Sequence, residues 1–125
     1  ANIVNNDFEN INIKKIKSRE IKEGHGKEKS ISDLYYYKGY VYALLKNQNV
    51  ILKLREDRDE FVEDEIYTFE QSVNGSEFIY LIGNNLGEGI AVDDKNIYVV
   101  FDNNNQPRLS AMNDTRPLLL KFEKP

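Results

Sequence analysis

The sequence predicts a mainly β protein, and three observations carry that expectation. The apolar runs are short and rich in tyrosine, valine and isoleucine, as in Tyr40-Val41-Tyr42-Ala43-Leu44-Leu45. Polar turn residues separate them, as Lys38-Gly39 and Lys46 to Asn49 do. The two best hairpins also resemble each other at a constant offset. A chain of 125 residues is long enough for one domain with its own core. Residues 1–125 are therefore expected to form a single mainly β domain of antiparallel meander sheets, with a small β-sandwich as the alternative.

Taken in order, residues 1–13 give a weak edge strand at best. Residues 14–29 hold seven basic residues against three glutamates; a short helix is one option, ended by Gly24-His25-Gly26. Leu34 to Tyr37, Tyr40 to Leu45 and Val50 to Leu54 read as three strands of a meander, since Gly39 and the turn at Asn47 to Asn49 would interrupt a helix. Residues 56–65 hold seven acids against Arg58. Ile66, Tyr67 and Phe69 follow as a fourth strand, Asn74-Gly75 supplies a turn, and Phe78 to Ile82 is a fifth run dense enough to be buried on both faces. Ile90 and Val92, the polar turn Asp93 to Asn96, and Ile97 to Phe101 make the clearest hairpin signal. After Pro107 the chain is expected to be irregular to residue 117, with Leu109 and Met112 contacting the body. Leu118 to Phe122 is the last strand.

The two best hairpins align 56 residues apart: Leu34, Tyr36 and Tyr42 fall on Ile90, Val92 and Tyr98. Val50 to Leu54 then resembles Leu118 to Phe122 after a loop about twelve residues longer. One sheet unit used twice would look like this, with blade-like units at 30–70 and 78–122. Convergence of short apolar runs is the plainer explanation. A closed propeller usually takes about four or more blades, so a chain with two such units is incomplete as one.

The run Gly87-Glu88-Gly89-Ile90-Ala91-Val92-Asp93-Asp94-Lys95-Asn96-Ile97-Tyr98-Val99-Val100-Phe101-Asp102, with Leu119 to Phe122 after it, resembles a blade of the calcium-dependent six-bladed propellers of the gluconolactonase and senescence-marker type, and of phytase-like esterases. The resemblance implies a central calcium with Glu88 as one ligand by position. Ser32 stands in that place in the earlier copy, and the blades that would supply the other ligands lie outside this sequence.

Read from the residues themselves, Glu88 and Asp102 are the best carboxylate pair, because neighbouring antiparallel strands could bring them together; both are candidate metal ligands. Calcium takes about six to eight oxygens, so further donors must converge. Asp93 and Asp94 are adjacent and diverge in an extended chain. His25 is the single histidine and there is no cysteine, which excludes disulfides, thiolate metal sites and a cysteine nucleophile. Neither an EF-hand loop nor a Walker phosphate loop is present. The candidate interaction residues are Tyr35, Tyr37 and Tyr40 in the aromatic cluster, Lys14, Lys15 and Lys17 in the basic segment, and Asp57, Asp59 and Glu60 in the acidic one.

A net charge of −4 weighs against nucleic acid as a partner, and no run is long enough to cross a bilayer as a helix. The start at Ala1-Asn2 fits a removed export signal or an arbitrary boundary, which favours a secreted or cell-surface protein over a cytoplasmic one. The expected function is a non-enzymatic protein-interaction or ligand-binding module within a larger β assembly, with a protein partner or self-association and a small-molecule ligand as further options. The alternative is a fragment of a calcium-dependent propeller hydrolase acting on lactones or phosphoesters.

Overall fold

The computed structural model describes residues 13–17, 30–73, 86–102, 106–108 and 112–125. The protein is mainly β: β1 (Lys14–Ile16), β2 (Ile31–Tyr37), β3 (Tyr40–Leu45), β4 (Val50–Asp57), β5 (Glu60–Thr68), a one-turn helix α1 (Glu70–Val73), β6 (Leu86–Val92), β7 (Asn96–Asp102) and β8 (Leu118–Glu123). They form two antiparallel sheets, ordered β1-β5-β4-β3-β2 and β6-β7-β8. The arrangement is open and is not a closed propeller. Among the described residues no helix is long and apolar enough to cross a membrane.

The meander of β2 to β4 and the hairpin of β6 and β7 follow the pattern expected from their turns. The acidic segment does not. Expected as a charged stretch ahead of a strand, it is itself a hairpin, because opposite charges lie across the ladder. Lys53 pairs with Glu65 in register, its Nζ 3.7 Å from that carboxylate, and Arg55 Nε lies 3.8 Å from Asp64. Arg58 and Asp59 make the turn, both at positive φ, as a two-residue hairpin of this hand requires. The described part of the basic segment is likewise a strand, not a helix: β1 pairs with β5 and sets Lys15 Nζ 3.2 Å from Glu65. Further along, Arg108 is the buried residue and Met112 is exposed, against the expectation that Met112 packs on the body. Phe78 to Ile82, Asn74-Gly75, Leu109, His25 and residues 1–12 lie outside the described residues.

Side chains alternate across a strand and cross-strand partners share a face, so register assigns every face. One face of the first sheet carries Tyr40, Tyr42, Leu44, Ile51 and Tyr67, and packs on the second sheet. The second sheet contributes Ile90, Val92, Ile97, Val99, Phe101, Leu118, Leu120 and Phe122, each 6% exposed or less. Phe69 closes the core between them, edge-on to Phe101 at 6.0 Å and tilted on Phe122 at 5.4 Å. The opposite face of the first sheet carries Leu34, Tyr36, Val41, Leu52 and Leu54, continuing into a smaller cluster of Leu45, Val50 and Ile66.

The registers of the two sheets coincide. The pairs Leu34↔Ala43 and Tyr36↔Val41 become Ile90↔Val99 and Val92↔Ile97 when both partners are displaced by 56. Even the bulges coincide: Ile31↔Leu45 steps to Asp33↔Leu44, and Gly87↔Phe101 steps to Gly89↔Val100. Ser32 and Glu88 are thus the extra residues of matching bulges. Val41↔Leu54 and Ala43↔Leu52 likewise correspond to Ile97↔Phe122 and Val99↔Leu120, with the third strand displaced by 68.

Candidate functional site

The two sheets meet where β2 and β6, the edge strands, run beside each other. The bulge in β2 turns its side chains toward the neighbour: Ser32 Oγ donates to the Gly87 carbonyl at 2.8 Å, and Asp33 Oδ2 accepts from the Ile90 N–H at 2.9 Å. Gly87 permits the close approach, since a Cβ there would stand 3.1 Å from Leu44 Cδ2 across the interface.

At the other end of the same edge the two hairpin turns touch. Lys38 Nζ lies 2.6 Å from Asp94 Oδ1, and the Tyr37 hydroxyl donates to the same oxygen. Lys38, and then Tyr37, hold the Asp94 carboxyl below the ordinary carboxylate range, and Asp94 in return raises the Tyr37 phenol. Asp93 is lowered too, first by the Tyr98 hydroxyl at 2.7 Å and then by the backbone N–H groups of Lys95 and Asn96. Lys124 lies 4.9 Å from the Tyr37 ring centroid and 5.7 Å from that of Tyr42, while Lys53 sits 4.1 Å over Tyr40. Burial, and then Lys53, depress the Lys124 ammonium. An open hollow of about 320 Å³ lies here, lined by Tyr37, Asp93, Asp94, Lys95 and Asn96.

This arrangement joins sheets and offers aromatic faces with cations above them. Of the candidates read from sequence, Tyr37 and Tyr40 come together in it, and Tyr35 lies exposed beside them, paired with Tyr42. Lys14, Lys15 and Lys17 are exposed at β1, on the far side of the sheet from β2. Asp57, Asp59 and Glu60 are exposed at the tip of the acidic hairpin, Asp57 paired with Glu60. Glu88 faces Lys46, with Oε1 3.5 Å from Nζ. Asp102 ends β7, its backbone paired with Leu86. No group of three or more His, Cys, Asp or Glu placed to hold a metal occurs among the described residues.

No protein family, curated protein or solved structure matches the chain.

The surface that sequence reasoning missed is the opposite face of the first sheet. Leu34 is 56% exposed and Tyr36 68%, although their equivalents Ile90 and Val92 are 6% and 3% exposed. Phe61, which pairs with Glu56 at the same side, is 54% exposed. The alignment of the two hairpins held no signal of this, because matching Leu34 with Ile90 and Tyr36 with Val92 predicts like burial for each pair. Single apolar side chains on a surface are ordinary, whereas a contiguous set on one face of a sheet marks a contact surface.

Proposed function

We propose that this chain is a non-enzymatic interaction module: two versions of one blade-like β unit that work inside a larger β assembly through the exposed apolar face of the first sheet. The carrying observation is the contrast between Leu34 and Tyr36, both more than half exposed, and their buried equivalents Ile90 and Val92. The coincident registers and bulges support the reading of one unit used twice, because matching bulges at the same step need more than a shared taste for apolar runs. The engagement of Glu88 with Lys46, at about a third exposure on each side chain, gives the hydrolase reading no support of its own.

A photo-crosslinking phenylalanine analogue in place of Tyr36, in cells producing the chain, tests this. Discrete protein adducts are expected, and they should vanish when Leu34→Asp and Phe61→Asp are added. An absence of adducts under conditions where the folded chain is abundant would overturn the proposal.

A further inference from the structure

Apart from the Lys46–Glu88 ion pair, the polar contacts described between the sheets join a residue to its own equivalent or a neighbour of it. Ser32 meets Gly87, Asp33 meets Ile90, Tyr37 meets Asp94 and Lys38 meets Asp94. The sheets are therefore related head to tail: the first presents one face, and the second covers it with the opposite face. Such a relation leaves two unlike faces over. One is the exposed part of the first sheet's opposite face, Leu34, Tyr36, Val41, Leu54 and Phe61, beside Ala43, Leu45, Val50 and Ile66 of that face, which are buried. The other is the outer face of the second sheet, where Ala91, Tyr98, Val100 and Leu119 are partly exposed and Lys121 is exposed.

Resting on the reading of the chain as an interaction module, we infer that a second copy of this chain covers the exposed part of this face with its own outer face, in the manner of the packing found within one molecule. The internal interface is the template: Tyr42, Leu44 and Ile51 seat the second sheet, with Lys53 on the same face, and Tyr98, Val100, Leu119 and Lys121 hold the same places one unit further on.

Charge favours this occupant. Within the chain Lys38 meets its equivalent Asp94; between copies Asp94 would meet Lys38, again of opposite sign. Lys124 lies close enough to Lys53 to be depressed by it, a like-charge pair. Displaced by one unit, that pair becomes Glu56 against Lys121, which attract. Contacts of this unlike-face kind are heterologous, so they build rings or open chains instead of closed symmetric pairs.

Sedimentation equilibrium on the purified chain, from low micromolar to millimolar concentration, tests the inference. Two variants accompany it: Leu34→Lys with Tyr36→Lys on the apolar face, and Val100→Lys with Leu119→Lys on the outer face. Wild type should associate with concentration, each variant alone should be monomeric, and the two variants mixed should stop at a one-to-one dimer, each supplying the face the other lacks. If lysine at Val100 or Leu119 unfolds the sheet, Leu119→Thr replaces that variant and should weaken association by about tenfold.

A wild type that stays monomeric, a mixture that stays monomeric, or an outer-face variant that still self-associates would each overturn the inference. A monomeric purified chain whose position-36 adducts persist in cells would remove the second copy as occupant and leave the module reading standing. Loss of the adducts as well would remove both.

Discussion

Truncating two equivalent positions, Ile90→Ala and Leu34→Ala, measures the asymmetry between the two sheets directly. Ile90 is 6% exposed and packs beside Val99 in the core; Leu34 is 56% exposed. Each change removes three carbons, worth about 2.4 kcal/mol of transfer free energy when fully buried, at about 0.8 kcal/mol each. At Ile90 nearly all of that is lost and a cavity term adds to it, for about 3–4 kcal/mol. At Leu34 less than half of the transfer term applies and no cavity forms, so the cost stays below about 1 kcal/mol. An unfolding entropy of about 2.1 cal/mol/K per residue over 125 residues gives about 0.26 kcal/mol/K. Ile90→Ala should then lower Tm by about 12 °C or more and Leu34→Ala by less than about 4 °C. Scanning calorimetry at the lowest workable concentration is the assay, so that association does not contribute. Equal losses at the two positions would refute the assignment of one face as core and its equivalent as free surface.

Four further outcomes are expected. Asp33→Ala removes the acceptor of the Leu34 and Ile90 N–H groups and should cost about 1–3 kcal/mol in chemical denaturation, with Asp33→Asn recovering part of it. Asp59→Gly relieves a left-handed backbone residue and should raise stability by about 0.5 kcal/mol, the gain limited by the freer unfolded chain. Asp114 is held below the ordinary carboxylate range first by Arg116 and then by Arg108, whose Nη2 lies 2.6 Å away. Its contribution is present above the unfolded value of about 3.9 and fades as pH falls below it, so Asp114→Asn should flatten the acid limb of a stability–pH profile. Burial, and then Glu65, raise the Tyr67 phenol well above 10.0. The folded protein therefore resists its ionisation, stability drops as pH climbs past about 10, and Tyr67→Phe should remove that drop in alkaline melts.

The local part of the fold was legible in the sequence. The turns at Lys38-Gly39 and Asp93 to Asn96, and the runs on either side of them, mark β2 with β3 and β6 with β7 through turn chemistry and alternation alone. The acidic hairpin was not, because Arg58 and Asp59 lack the Asn-Gly signature that usually announces such a turn, and the charges that stabilise it come from β4 and β1. The candidate site was legible only as a list of tyrosines. Which of them would share a face with Lys124 and Asp94 depends on how two sheets stack, and stacking leaves no mark on residue spacing. Glu88 was singled out by its place in the blade-like run and as a carboxylate partner for Asp102; the pairing pattern instead makes it the extra residue of a bulge, with its carboxylate toward Lys46.

The meeting of Lys38 with Asp94 carries a parity rule. If every hairpin tip must touch one of opposite sign, cations and anions alternate around any closed circle of sheets, and only an even total closes without two alike side by side. A molecule that bears one tip of each sign satisfies this for any number of molecules in the circle. Reversing one sign alone, as Lys38→Asp would, spoils closure at every joint at once.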